Sequence, residues 1–389
     1  MLIGIDASRA VAAQRTGTET YSRHLIRVLL QLGTGHRFRL YVNATPPVGR
    51  RGVSDDPAGQ AEEIALPREG VEIRAIPFPR LWTHLRLSAE MALRPPDVLF
   101  VPAHVIPLLH PRPSVVTVHD LGYLYYPESH RAWDRRYLDW SSRWSARQAA
   151  AVLVDSAATG RDLAQAYNVS PAKIHVVHLG RDERLRRVDD PGVLAETRGR
   201  YRLGNRYLLY VGTLQPRKNL ARMVEAFARL VAQPALADLQ LVLAGKKGWL
   251  YDALFAQVSR LGLDGRVLFT GYVPDEHLPA LLSGAIAFVY PSLYEGFGIP
   301  VLEAGACGVP VITSNTSSLP EVAGDAAILV DPHNVDEIAG AIYRLVTDDA
   351  LRAELARRGL ENVKRFSWEK CARETLAVLE QVAKSQGRG

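Results

Sequence analysis

Two carboxylates, Glu295 and Glu303, bracket a Gly296-Phe297-Gly298 loop in the stretch Tyr290 to Pro310, YPSLYEGFGIPVLEAGACGVP. The apolar run Ala285 to Tyr290 ahead of the loop reads as a buried strand, and Val309 to Thr313 behind it as another. Pro300 suits the first turn of a short helix, where its missing N–H costs nothing, and Gly308 followed by Pro310 supplies the stop. The loop then lies just before a helix N-terminus. Unpaired N–H groups and the positive end of the helix dipole favour a phosphate oxygen there, and two glycines let a ligand approach the backbone closely. Glu295, and Glu303 expected in the first helical turn, would repel a bare phosphate but accept hydrogen bonds from hydroxyls. A ligand with both groups, such as a nucleotide sugar, satisfies both demands.

Other loops carry matching chemistry. In YVGTLQPRKNL, a strand ends at Val211, Gly212 allows a tight turn, Arg217 and Lys218 supply two cations, and Asn219 is placed to cap the following helix. Alone this is a solvated basic turn; beside a carboxylate loop it suits a diphosphate. The next strand ends in LVLAGKKG, with Gly245, Lys246 and Lys247. Nearer the start, SVVTVHDLGYLYYPE runs a buried strand into His119 and Asp120. A histidine there can hydrogen-bond a sugar hydroxyl in either tautomer, with Asp120 orienting it or a neighbouring backbone group.

These residues need a scaffold that brings strand ends together. At 389 residues the chain exceeds what one core usually supports, and its 47% apolar and 23% charged composition is that of an ordinary globular protein. Strand-like runs at Leu2–Ile5, Phe38–Val42, Val71–Ile76, Val98–Val101, Val115–Val118, Val152–Val154 and Ile174–Val177 alternate with helical patterns at Thr18–Leu32, Trp82–Leu93, Glu128–Ala150 and Ala157–Tyr167. The region Thr45–Gly70 reads as an exposed excursion. Charge-dense Arg181–Asn205 has no strand pattern, and beyond it the alternation restarts through six further strands. The expected architecture is α/β: two Rossmann-like, doubly wound parallel-sheet domains facing a cleft, over residues 1–182 and 183–367. A last amphipathic helix within 368–389 is expected to pack back on the first domain.

The net charge of +6 comes with only seven lysines and no zinc-finger spacing, RNP-like motif or basic tail, which argues against nucleic acid and for phosphorylated ligands. The two cysteines, Cys307 and Cys371, make no disulfide framework, the start MLIGIDASRA lacks the features of a signal peptide, and no apolar run reaches spanning length. A cytoplasmic protein is expected.

The combination resembles the retaining GT-B glycosyltransferases, in particular glycosyltransferase family 4, over nearly the whole chain. EGFGIPVLE is similar to that family's two glutamates eight apart around a Gly-Phe-Gly loop. The resemblance implies that Glu303 binds ribose hydroxyls, Glu295 the transferred sugar, the Gly296 to Gly298 backbone the sugar and phosphate, and Arg217 with Lys218 the diphosphate. His119 matches the family's first-domain histidine. RTGTETYS resembles its glycine-rich loop, with Gly17 and Thr18 near acceptor and phosphate, although Glu19 stands where many relatives have a second glycine. FTGYVPDEHLPALL resembles the base-proximal loop, with Tyr272 and Val273 flanking the nucleobase. The family often has arginine after the glycine of the GxL turn, where this chain has Thr213; Arg217 looks like the GTxxPRKN variant, a mannosyltransferase-like branch that points to GDP-mannose. VLVDSAATGRDL places Ser156 as a helix N-cap.

The expected reaction moves a sugar from a nucleoside diphosphate to an acceptor hydroxyl of a glycan or lipid-linked glycan, catalysed by His119, Glu295 and Lys218. No Asp-x-Asp occurs, so no cofactor and no essential metal is expected. A GT-B epimerase or phosphorylase, or a non-catalytic nucleotide or nucleic-acid binder, is the alternative. Trp133, Tyr137, Trp140 and Trp144, at intervals of four, three and four among several arginines, form one helical face. It either meets the inner membrane surface or packs on the first domain's sheet, and the packed arrangement is the simpler expectation.

Overall fold

The computed structural model describes residues 1–12, 17–43, 69–78, 81–127, 132–246, 248 and 251–386. It divides into two compact units, Met1–Gly180 with Phe366–Gly389, and Arg181–Arg365.

The first unit runs β1 (Leu2–Asp6), α1 (Gly17–Gln31), β2 (Arg37–Val42), β3 (Val71–Ala75), α2 (Ser88–Leu93), β4 (Val98–Val101), β5 (Ser114–Val118), α3 (Gly122–Tyr125), α4 (Ala132–Gln148), β6 (Ala151–Val154), α5 (Ala157–Tyr167) and β7 (Ile174–Val176). Its sheet is wholly parallel in the order β3-β2-β1-β4-β5-β6-β7. Central strands such as β4 and β6 are apolar throughout and buried, as a sheet covered on both faces requires.

The second unit runs α6 (Pro191–Tyr201), β8 (Tyr207–Val211), α7 (Leu220–Val231), β9 (Gln240–Ala244), α8 (Tyr251–Arg260), β10 (Val267–Gly271), α9 (Leu278–Ser283), β11 (Ala287–Tyr290), α10 (Ile299–Ala306), β12 (Val311–Ser314), α11 (Leu319–Ala323), β13 (Ala327–Val330), α12 (Val335–Thr347) and α13 (Asp349–Asn362). Its parallel sheet has the order β10-β9-β8-β11-β12-β13. The order reverses between β8 and β11, which makes the loops after those two strands neighbours at the switch point where open sheets bind ligands. The final helix, α14 (Trp368–Gln386), returns to the first unit and lies along α1.

Local features add to the sequence reading or depart from it. The segment expected as one helix over Trp82–Leu93 opens with a π-helical turn, Thr83–Leu87, in which Leu87 N–H reaches back five residues to Trp82 O. The Trp82 indole donates to Ile76 O at 2.8 Å and anchors that turn. Arg181–Asn205 contains helix α6, begun by Asp190, whose carboxylate accepts from Gly192 and Val193 N–H, and by Pro191 in the first turn. After α13 a separate 3-10 turn, Val363–Arg365, precedes α14.

Helix α4 corrects in part the expectation that its aromatic face packs on the sheet: Trp144 packs against the buried core, but the rest of the face turns outward. The helix turns its small residues Ser141, Ser142, Ser145 and Ala146 inward, all of them buried. The Trp133, Tyr137 and Trp140 side chains face outward, with Trp133 80% exposed. Small side chains let the helix backbone approach the sheet closely, and Ser145 Oγ there accepts from Ile106 N–H. Most of Thr45–Gly70, together with Arg131 and Lys247, lies outside the described residues.

Candidate active site

In the second unit the two switch-point loops meet. The β8 loop passes through Gly212 into a 3-10 turn, Pro216–Lys218, and then Asn219 in left-handed conformation. Leu293 N–H donates to Arg217 O at 2.9 Å, which ties this turn to the loop after β11. The expectation that Asn219 caps α7 is corrected. Its amide instead donates to Pro291 O and Pro332 O, at 3.0 and 2.6 Å, and so holds the β11 loop against the chain that follows β13. With its amide turned to those two buried carbonyls, the Asn219 Oδ1 accepts from Arg222 Nη1 at 2.9 Å rather than from a helix N–H.

These ties bring Lys218 and Arg217 onto Glu295. Lys218 Nζ donates to Glu295 Oε1 at 2.5 Å and to the Tyr290 hydroxyl at 2.7 Å, and lies 5.1 Å from the centre of the Tyr290 ring. Arg217 Nη1 donates to Glu295 Oε2 at 3.3 Å and to Tyr294 O. Glu295 N–H is received by Ser317 Oγ, and Ser318 Oγ donates to the carbonyls of Glu295 and Phe297. Burial alone would push the Glu295 carboxyl up, but the Lys218 and Arg217 cations overcome it and hold the group at about 2. Glu295 is therefore an ionised acceptor with fixed orientation.

The Gly296–Gly298 loop is buried beside this carboxylate. Gly298 has φ +112°, and a Cβ there would stand 2.8 Å from Leu319 Cδ2, so both conformation and space require glycine. Helix α10 starts immediately after it with Pro300 in the first turn. Glu303 is the fifth residue of that helix and so belongs to its second turn, not its first. Half-buried, it is pushed up to about 7, chiefly by desolvation and then by the Asp182 and Asp275 carboxylates. The two glutamates thus differ sharply in protonation.

The glycines of the neighbouring loops serve packing. A Cβ on Gly245, whose φ is +149°, would lie 1.9 Å from Gly212 O. Gly212 N–H donates to Ala244 O, and Leu214 N–H to Lys246 O, so the β8 and β9 loops interlock. Lys246 is exposed with its ammonium 5.2 Å from the centre of the Tyr272 ring, itself exposed, while Val273 is buried.

In the first unit, β5 ends at Val118 and delivers His119. Its Nδ1 pairs with Asp155 Oδ2 at 2.7 Å, and its Nε2 has a 3.4 Å contact with Pro102 O. Asp155 stands at the end of β6, adjacent to β5 in register, and is buried. Of the two roles expected of Asp120, the structure shows the second: its carboxylate accepts from the neighbouring Gly122 N–H at 2.8 Å, at the first residue of α3. Sequence reasoning passed over Asp155 because it precedes the N-cap Ser156, which accepts from Thr159 N–H as expected. The signal lay in the strand pairing, since β5 and β6 end side by side. Burial pushes the His119 imidazole down, and the Asp155 carboxylate more than reverses this, so His119 stands above its ordinary value.

Tyr21 of α1 meets His119 edge-on with 4.7 Å between ring centres, and its hydroxyl shares a hydrogen bond with Thr117. Trp368 of α14 backs Tyr21. Gly17 begins α1 and is exposed, with nothing near its missing Cβ, and Thr18 is half-buried beside it. Glu19 is buried and paired with Arg9 at 3.0 Å.

Residues 15–185 match the family Glycosyltransferase Family 4, and residues 197–362 match Glycosyl transferases group 1. The chain is 38% identical over 265 residues to O-antigen chain mannosyltransferase B of Escherichia coli, a match that spans 68% of this chain and 69% of that one. Its backbone is similar to sucrose-phosphate synthase of Thermosynechococcus elongatus, with a TM-score of 0.73 at 22% identity over 99% of each chain. It is also similar to the HepE protein of Anabaena solved with UDP and glucose, with a TM-score of 0.71 at 18% identity over 97% of this chain and 99% of that one. At such identities the solved structures speak for the fold, two parallel-sheet units of the GT-B type. The family matches across both units and the relative covered over two thirds of its length place the chain in glycosyltransferase family 4, as a glycosyltransferase of the GT-B fold.

Proposed function

We propose that the protein transfers mannose from GDP-mannose to a hydroxyl of a growing glycan, with retention of configuration and without an essential metal or other cofactor. The observation that carries this reading is the buried cluster in which Lys218 and Arg217 hold Glu295 ionised beside the Gly296–Gly298 loop. A carboxylate in that state accepts hydrogen bonds from sugar hydroxyls, and two cations with a glycine-rich loop are the partners a diphosphate needs. The name of the Escherichia coli relative and the PRKN turn support mannose and GDP.

In this reading Glu295 binds the transferred sugar, Glu303 the ribose, Gly212, Gly245 and Lys246 border the diphosphate, and Tyr272 with Val273 flank the base. Arg217 and Lys218 stabilise the charge that develops as the bond between the anomeric carbon and the phosphate oxygen breaks, replacing a metal. The acceptor oxygen bonds to the same face of that carbon, and its proton passes to the departing phosphate oxygen. His119, whose Nδ1 is held by Asp155 and whose Nε2 has only the long 3.4 Å contact with Pro102 O, is assigned a hydroxyl of the sugar. Gly17, Thr18 and Asp120 belong to the acceptor side. Two free, buried cysteines suit a reducing cytoplasm.

The test is a thermal-shift panel of GDP, UDP and ADP with their sugars, followed by transfer assays in chelator. GDP-mannose should raise the midpoint most, and the product should keep the α configuration by NMR. A shift with UDP- or ADP-sugars alone would replace the donor; an inverted product or loss of activity in chelator would overturn the mechanism.

A further inference from the structure

We infer that the outward face of α4 is a docking surface for an anionic lipid bilayer. Trp133, Tyr137 and Trp140 form an exposed ladder on this face: Tyr137 and Trp140 lie 6.2 Å apart, and Trp140 stacks at 6.2 Å on Trp144, which roots the row by packing on the buried core. The seven residue steps from Trp133 to Trp140 make the ladder roughly 10 Å long. His84, from the π-helical turn, packs its ring against Tyr137 and Trp140 and bonds the Tyr137 hydroxyl at 2.9 Å, and the adjacent Leu85 is exposed. A helix that buries serine and alanine while presenting tryptophan reverses the ordinary preference for burying large apolar groups. Such a contiguous apolar patch marks an interaction site.

The charges choose the occupant. Arg136, Arg143 and Arg147 recur at intervals of seven and four and so run along one border of the ladder. They are fixed beside it: the Arg136 guanidinium lies 5.7 Å from the centre of the Trp133 ring, Arg143 lies 5.2 Å from that of Tyr167, and Arg147 donates to Tyr167 O. Tryptophan and tyrosine rings suit the depth of the headgroups, and arginines at their border meet lipid phosphates. The face is the convex side of a single helix, not a groove shaped for a partner segment. Pairing of two copies through antiparallel α4 faces would also set the two arginine rows against each other. The surface is built wholly from the first unit and does not depend on which donor the protein uses.

The experiment is co-sedimentation of the full chain with vesicles of phosphatidylcholine alone or with an equal part of phosphatidylglycerol, at roughly 0.1 M salt. Wild type should sediment with the anionic vesicles, Trp133→Ser/Trp140→Ser should bind them roughly tenfold or more weakly, and Arg136→Gln should narrow the preference for anionic lipid. Both variants change exposed side chains and should keep the wild-type melting midpoint, which controls for folding. Equal binding by wild type and the double variant would overturn the inference, as would no vesicle binding by wild type. A dimer seen by sedimentation velocity and abolished by Trp133→Ser/Trp140→Ser, without vesicle binding, would assign the face to a second copy instead.

Discussion

The Lys218 ammonium and the Glu295 carboxylate meet at 2.5 Å, each with its side chain only 9% exposed, across the two strands where the sheet order reverses. Removing Lys218 leaves the buried Glu295 carboxylate with only the longer Arg217 contact, at 3.3 Å, in a place water scarcely reaches. Lys218→Met should therefore destabilise the protein by about 3 to 5 kcal/mol. Adding Glu295→Gln to it should recover a large part of that loss, because the uncompensated charge disappears. Urea unfolding of the two single variants and the double variant measures the coupling, and strictly additive losses would deny it.

The same carboxylate sets an acid limit. Glu295 is depressed from 4.5 to about 2 in the folded protein, so its contribution is fully present above pH 4.5 and is lost as pH falls towards 2. That contribution is on the order of 3 kcal/mol. Glu295→Gln should accordingly flatten the pH dependence of stability below pH 4.5, which denaturant midpoints across that range would show.

Glu303 titrates in the opposite sense. Its group is raised from 4.5 to about 7, so the folded state holds the proton longer and folding loses stability as pH rises between those values. If the ribose hydroxyls donate to its carboxylate, the KM for donor should fall as pH rises through about 7. Glu303→Gln should show a flat profile and a gain in stability at high pH. An unchanged KM profile in the variant would remove Glu303 from the donor site.

The alternation of apolar runs and helical periods was enough to expect two doubly wound sheets, because parallel strands buried on both faces leave unbroken Val, Leu and Ile runs such as VLFV and AVLV. The loops of the candidate site were legible for a related reason: glycine, cation and carboxylate all fall at strand ends, where the fold must bring them together. Asp155 was not, since nothing local distinguishes it and only the β5–β6 register sets it against His119. The Asn219 amide was misjudged because its acceptors, Pro291 O and Pro332 O, are 72 and 113 residues away. The face of α4 was misjudged because periodicity marks an apolar stripe without saying which side of the helix the sheet takes; close approach of the backbone favoured serine and alanine.

Gly245 tests the interlock of the second unit's loops. A methyl group placed 1.9 Å from Gly212 O, on a backbone at φ +149°, fits neither the space nor the conformation. Gly245→Ala should cost about 3 kcal/mol or more and loosen the β8 loop that carries Arg217 and Lys218. Hydrogen exchange of the Gly212 and Leu214 amides should accelerate in step with the loss in donor affinity. Gly17→Ala, which meets nothing, should leave stability near wild type.

His119 and Asp155 give the sharpest separation of positioning from structure. Asp155→Asn keeps the shape of the side chain and removes the charge that raises His119. The pairing stabilises the fold below the ordinary histidine value of 6.5 and is lost as pH rises through the elevated folded value, so Asp155→Asn should destabilise most at mildly acidic pH. Without that carboxylate, burial opposes only the smaller support of Pro102 O and the Asp120 charge, and the titration of the imidazole by NMR should move down. If Asp155 also fixes the ring so that Nε2 faces the sugar, kcat should fall on the order of tenfold or more. His119→Ala should lose at least as much, and the double variant no more than His119→Ala alone, since the aspartate acts only through the ring. A double variant that is much worse than His119→Ala would mean that Asp155 has a separate part in the reaction.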